Sequence, residues 1–213
     1  YNTPYEIGLS SNPSQNIGTV KNQGFELSLT HDHRIGELKY QVAVNLTTNK
    51  NKITDLGGSD NMISNGGDKI RYINQVGGAI GSYYGYVTNG LYSQSEIDAG
   101  AYYTFGRKPN AGDIKYVPQR EGVAFGQEIT GDDRTIIGSD VPTFTYGINL
   151  TLDYKNFFLS AFGQGVRGTS VGFESEQVWA FFLNSAPREY HLGRWTTENQ
   201  NPNATYPRIY GGS

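Results

Sequence analysis

The chain has 213 residues, a formal net charge of −3, 28 glycines, 16 tyrosines and no cysteine. The length allows one large domain or a piece of a bigger one, and the charge gives no electrostatic case for nucleic acid. Without cysteine, disulfides and thiolate metal sites do not arise, and no apolar run approaches the ~18 residues that a membrane helix needs.

That last exclusion leaves strand crossings open, because a barrel strand is only half apolar. A mean hydropathy of −0.53 suits a water-soluble protein and a porin-like wall alike. The chain starts at Tyr1 without Met or leader and ends in Gly-Gly-Ser, so a fragment of a longer protein is expected. Residues 1–16, rich in Ser, Asn and Pro, read as loop.

From Val20 to His33, Phe25, Leu27 and Leu29 alternate with Glu26, Ser28 and Thr30. After Arg34-Ile35-Gly36-Glu37, Leu38, Tyr40, Val42, Val44 and Leu46 alternate with polar or small residues. Both runs predict strands, since side chains of a strand change sides at every residue. Pairing His33 with Leu38 sets Leu29 opposite Val42, Leu27 opposite Val44 and Phe25 opposite Leu46, one continuous apolar face.

From Ile53 to Val141 the character changes to Gly-Gly pairs, Asp/Asn turns and a tyrosine cluster in GAIGSYYGYVTNGLY. The stretch SQSEIDAGAY predicts one short helix, capped by Ser93 or Ser95 with Glu96 and Asp98 in its first turn. Loops this long are uncommon in compact domains and usually functional.

The clearest element is PTFTYGINLTLDYKNFFLSAFGQG, Pro142 to Gly165. Phe144, Tyr146, Ile148, Leu150, Leu152 and Tyr154 fall on one face, with Asn149, Thr151 and Asp153 on the other. A tight turn at Lys155-Asn156 sets Tyr154 opposite Phe157, Leu152 opposite Leu159 and Leu150 opposite Ala161. Phe158, Ser160, Phe162 and Gln164 then fall on the polar side.

A soluble sandwich and a membrane barrel both use such hairpins. Parity separates them. The two short turns lie on one side, so the long segment between the hairpins lies on the other, as do the irregular residues after Gly165. Short turns on one side and long loops opposite are the layout of outer-membrane barrels.

Several stretches also resemble one family: VKNQGFELSLT (20–30), GGAIGSYYGYVTNGLY (77–92), AGDIKY (111–116), DRTIIGSDVPTFTYGINLTLDYKNFFLSAFGQG (133–165) and GRWTTENQNPNATYPR (193–208). Together and in this order they resemble the SusC/RagA family of TonB-linked transporters of the Bacteroidetes outer membrane. The resemblance implies an all-β fold, an antiparallel transmembrane segment of a barrel of about 22 strands with long extracellular loops. It implies a hairpin at 17–54, an extracellular loop at 55–141, a hairpin at 142–168 and a further loop region at 169–213, with the plug and last strands absent. Implied partners are a SusD-like surface lipoprotein, TonB acting through the absent plug, membrane lipid, and a glycan or peptide cargo. Phe144, Tyr146, Ile148, Leu150 and Leu152 would face lipid; Asn149, Thr151, Asp153 and Gln164 would face the lumen.

One departure bears on metals. The family commonly shows an acidic, calcium-like run after GDIKY, where this chain has VPQREGVAFGQEITGDD. Calcium needs several converging oxygens, and only Asp132 and Asp133 remain together, followed by Arg134. No metal or other cofactor is expected. His31, His33 and His191 lack the partners of a metal site, Glu174 and Glu176 read as a solvated pair, and no nucleophile elbow supports catalysis.

For cargo or a partner, the candidates are the loop aromatics Tyr83, Tyr84, Tyr86, Trp179 and Trp195, whose rings bury apolar area while Tyr and Trp keep a polar tip. The competing reading of the same rings is a small core inside the folded loops. A soluble carbohydrate-binding sandwich is the rival for the whole chain; it requires a second sheet over the apolar face.

Overall fold

A computed structural model describes residues 18–66 and 70–209. The amino-terminal loop expected at residues 1–16, Ile17 at the first hairpin's edge, and residues 67–69 and 210–213 lie outside the described residues. In chain order the strands are β1 (Gly18–Ile35), β2 (Leu38–Leu56), β3 (Asn61–Gly66), β4 (Ile70–Gln75), β5 (Ser82–Leu91), β6 (Tyr103–Thr104), β7 (Ile114–Val117), β8 (Glu128–Ile129), β9 (Arg134–Ser139), β10 (Phe144–Tyr154) and β11 (Phe157–Arg167). One helix, α1 (Gln94–Gly100), follows β5. The described chain forms two compact units: residues 18–63, 73–82 and 139–170, and residues 64–66, 70–72, 83–138 and 171–209.

The first unit is built on an antiparallel sheet of order β1-β2-β10-β11. Its second hairpin follows the alternation of the sequence: Tyr154 stands opposite Phe157, Leu152 opposite Leu159 and Leu150 opposite Ala161, leaving Lys155-Asn156 as the turn. The first hairpin corrects the expected register. Ile35, not His33, pairs with Leu38, so Leu29 faces Val44, Leu27 faces Leu46 and Phe25 faces Thr48. The turn is the two-residue Gly36-Glu37, and Gly36 takes a φ of +61°, which glycine adopts without a Cβ clash. The slip is two residues, so every side chain keeps the expected face.

β2 and β10 are neighbours despite the long segment between them, with Leu38 opposite Tyr154, Val42 opposite Leu150 and Leu46 opposite Tyr146. Both tight turns therefore lie at one end of the sheet, and the intervening chain leaves and returns at the other. Cross-strand partners share a face, so a mainly apolar surface extends over four strands. It stays uncovered: Phe25 is 62% exposed, Ile148 46% and Leu159 56%. Among the described residues no second sheet packs on it, as a soluble sandwich would require.

Beyond the partner of Phe144, β2 continues from Thr48 to Leu56 against β1, with an irregularity next to Val20. Gly24 is required here by close approach, since a Cβ on it would run into the Thr48 carbonyl. The unit's buried residues, Ile53, Leu56, Ile73 and Ser82, belong to this outer portion. Gly77 donates its N–H to the Ile53 carbonyl at 2.8 Å, and the Ile53 N–H reaches Gly78 O at 2.8 Å.

The segment between the hairpins holds more regular structure than its sequence suggests. A second sheet has the order β3-β4-β5-β7, with β9 also paired to β5, and β6 pairs in parallel with β8. The predicted helix forms as α1 with Ser93 as its cap: Ser93 Oγ accepts the Glu96 N–H, and Glu96 Oε2 accepts the Ser93 N–H at 2.9 Å. Ile97 and Ala101 pack with Tyr92 in a small buried cluster.

Candidate functional site

Two surfaces bear on function: the wall formed by the four-stranded sheet, and the folded loops of the second unit. On the wall, Phe144, Tyr146, Ile148, Leu150 and Leu152 share a face with Tyr40, Val42, Val44 and Leu46 of β2. Asn149, Thr151 and Asp153 share the opposite face with Phe162, Ser160 and Phe158, and Gln164 pairs with Gly147 on that side. Phe158 and Phe162 are 68% and 63% exposed, two large rings beside the polar Asn149, Thr151, Asp153 and Ser160.

His31 and His33 lie on the apolar face beside Tyr40, with His31 Nε2 3.2 Å from the Tyr40 hydroxyl. Their rings lie 6.2 Å apart. Among the described residues no group of three or more His, Asp or Glu side chains converges as a metal ion would need.

The loop aromatics divide by role. Tyr84 and Tyr86 share one face of β5 and Tyr83 takes the other. Tyr83 packs on Tyr72 at 5.2 Å. Tyr86 meets Tyr116 at 5.5 Å and Phe105 at 5.7 Å, with the Arg134 guanidinium 5.0 Å above its ring. Gly85 lies between them, packed against Ile137. Trp179 is 37% exposed and stacks on Phe182 at 6.0 Å. Trp195 is 6% exposed, its ring lies over Gly112, and its backbone N–H reaches the Tyr206 carbonyl at 2.9 Å. Gly112 has a φ of +85° and no room for a Cβ under the indole, so Trp195 is a packing residue in this structure.

Sequence reasoning missed the feature that gathers most of these residues. A cavity of about 660 Å³ lies within the second unit, in the range typical of ligand pockets (~300–1,000 Å³). Phe105, Tyr116, Trp179 and Tyr206 supply its apolar walls, and Arg107, Lys108 and Arg208 supply its cations. Burial pushes the Tyr116 phenol above its ordinary value. Arg208 Nε donates to Asp113 Oδ1 at 2.6 Å, whereas Arg107 and Lys108 have no carboxylate partner among the described residues. His191 and Thr104 also line the cavity. His191 is 2% exposed, and its Nδ1 accepts the Arg188 N–H at 3.0 Å. With Nδ1 accepting, Nε2 carries the ring proton and is a donor, and it has no acceptor; the buried Thr104 Oγ1 likewise has no partner. The contributing stretches are far apart in sequence, and no local pattern announces the cavity.

Ion pairs fix the surrounding loops. Asp133 is fully buried and takes Arg120 Nη2 at 2.8 Å, with N–H bonds from Thr130, Gln119 and Arg120. The guanidinium and then these N–H groups outweigh burial and hold its carboxyl well below the ordinary range. Thus the side-chain cation of Arg120 pairs with this acidic turn. Lys115 Nζ lies 2.6 Å from Glu96, which, with the Ser93 N–H, holds that carboxyl at about 2. Glu174 accepts the Ile70 N–H at 3.1 Å, and Glu176 is paired with Arg188. The two acids thus serve different structural partners.

No family model matches the chain. Three sequence relatives are TonB-dependent receptors of Formosa agariphila. P26 is 31% identical over 99% of this chain and 21% of its own length; P3 is 30% identical over 97% and 20%. P39 is 28% identical over 74% of this chain. The chain therefore spans about a fifth of the length of P26 and P3. Among solved structures it is similar to the RagAB peptide transporter, with a TM-score of 0.65 at 21% identity over 97% of this chain and 22% of that one. RagAB in a closed-closed state, described as a peptide importer, gives 0.64 at 20% identity. At that identity the likeness concerns fold. The chain belongs to the TonB-dependent receptor family of outer-membrane proteins, and its antiparallel β fold matches a part of the RagAB transporter.

Proposed function

We propose that this chain forms part of the wall and outer loops of a TonB-dependent barrel that imports oligomeric nutrients across the outer membrane. The observation that carries the reading is the four-stranded antiparallel sheet, whose mainly apolar face stays exposed while both tight turns lie at one end. In lipid every backbone polar group needs a partner, so β1 and β11 would continue into further strands of a closed barrel of about 22. Phe144, Tyr146, Ile148, Leu150 and Leu152 then face lipid, and Asn149, Thr151, Asp153 and Gln164 face the lumen. Residues 55–141 and 169–213 are the outer loops.

Import draws on parts outside this chain. TonB would act through a plug, and a SusD-like lipoprotein would cap the outer face. The description of RagAB as a peptide transporter supports oligomeric cargo, peptide or glycan. The chain's own contribution is passage and contact, with no chemical step.

Topology is the decisive test. The chain has no cysteine, so single cysteines can be placed at Ser59, Asn110 and Asn156 in the full-length receptor. On intact cells an impermeant maleimide should label Ser59→Cys and Asn110→Cys, and Asn156→Cys only after permeabilisation. The reverse pattern would overturn the reading.

A further inference from the structure

We propose that the cavity bounded by Arg107, Tyr116 and Trp179 binds an acidic residue of an anionic oligosaccharide; this rests on the importer reading and names its cargo class. Two independent features converge there. Arg107 and Lys108 are exposed at the cavity without carboxylate partners among the described residues, while Arg208 is held by Asp113. A ligand carboxylate supplies the missing counter-charge, and the planar Arg107 fork can take it with two parallel bonds.

The walls form the second feature. Phe105, Tyr116, Trp179 and Tyr206 present flat apolar surfaces, on which the C–H face of a pyranose can lie. A peptide that adds to a sheet is recognised through a run of N–H and C=O groups along a strand edge. Flat rings beside surplus cations fit an acidic sugar better.

Binding to the purified full-length receptor tests this with a short oligogalacturonate, a neutral malto-oligosaccharide of equal length, and an oligoglutamate. The oligogalacturonate should bind in a salt-sensitive manner, and Arg107→Glu with Lys108→Glu should weaken it at least about tenfold. Arg71→Glu, the same reversal on an exposed strand residue outside the cavity lining, should leave affinity within about twofold. Should the double reversal disturb the fold in limited proteolysis, Arg107→Gln with Lys108→Gln replaces it and should still lower affinity and the salt dependence. Equal binding of the neutral sugar, indifference to either double variant, or tighter binding of the oligoglutamate overturns the proposal. Oligomer uptake by cells carrying the receptor separates the two readings. Uptake that persists without oligogalacturonate binding sinks only the cavity assignment. Oligogalacturonate binding with no uptake of any oligomer sinks the importer reading alone.

Discussion

Lys155 Nζ lies 3.1 Å from Glu37 Oε2, linking the tips of two hairpins that are far apart in sequence. Both side chains are more than half exposed, so the pair adds little stability. The Leu38–Tyr154 pairing of β2 with β10 sets the two turns side by side at one end of the sheet, and the ion pair marks that meeting. Everything long and irregular in the chain then leaves from the opposite end.

The first prediction concerns the two faces of β10. Leu150 and Thr151 are consecutive, so they share strand, sheet position and depth while pointing to opposite sides. With Leu150 in lipid near the bilayer centre, Leu150→Arg should cost about 2–4 kcal/mol, and Thr151→Arg far less. Unfolding in detergent–lipid mixtures, read by heat-modified gel mobility, measures both. Equal costs would contradict the proposed orientation of the wall.

The turn at Lys155 gives the second prediction. Its φ of +53° belongs to the left-handed region, where a Cβ costs about 1–2 kcal/mol. Lys155→Gly removes that cost and also removes an exposed ion pair worth ~0–1 kcal/mol. Backbone relief should exceed the lost pair, so the variant should melt at or slightly above the parent temperature. Glu37→Gln, which removes only the pair, should be nearly silent. A clear loss of stability in Lys155→Gly but not in Glu37→Gln would mean that the lysine stem matters through its packing on Tyr154, 5.4 Å from the ammonium.

These two elements show what the sequence made legible. In β10–β11 the alternation is unbroken and Lys155-Asn156 is the natural break, so register and faces both followed. In β1–β2 the stretch Arg34-Ile35-Gly36-Glu37 offered more than one turn; parity preserved the faces while the pairing slipped by two. The second unit was far less legible. β6 and β8 have two residues each and β7 has four, too short for alternation to register. The burial of Trp195 depends on Gly112, a distant glycine that no periodicity flags. Ser93 and Glu96, by contrast, carry a local capping signal, and α1 was found.

The third prediction follows from that cap. Glu96 sits at about 2 in the folded chain because Lys115 and then the Ser93 N–H favour its charged form. A carboxyl depressed on folding contributes stability that is fully present above its unfolded value of 4.5 and is lost as pH falls toward 2. The side chain is 42% exposed, so solvent screening keeps the effect small. Amide exchange of α1 should therefore accelerate between pH 4.5 and 2 relative to Glu96→Gln, whose helix should be looser at neutral pH and flatter across this window. Parallel profiles for the two proteins would remove Glu96 as the cause.

The last prediction separates contact from packing on the tyrosine strand. Tyr86 sits among Tyr116, Phe105 and the Arg134 guanidinium, whereas Tyr84, on the same face of β5, has no ring contact within the described residues. Tyr116 and Phe105 also line the cavity, so Tyr86 braces two of its walls from behind. Losing a fully buried aromatic costs about 3–5 kcal/mol, and the half-buried Tyr86 should cost less, about 2–3 kcal/mol. Tyr86→Ala should then make residues 83–138 cleavable by external protease and lower uptake at the same time. Tyr84→Ala should leave that segment resistant, and any fall in uptake it causes would mark Tyr84 as a cargo or partner contact. Resistance in both variants, with uptake lost only in Tyr86→Ala, would reverse the assignment and make Tyr86 the contact ring. The two positions differ by one turn of the strand repeat and share their exposure to solvent, so a difference between them can be traced to the ring cluster itself.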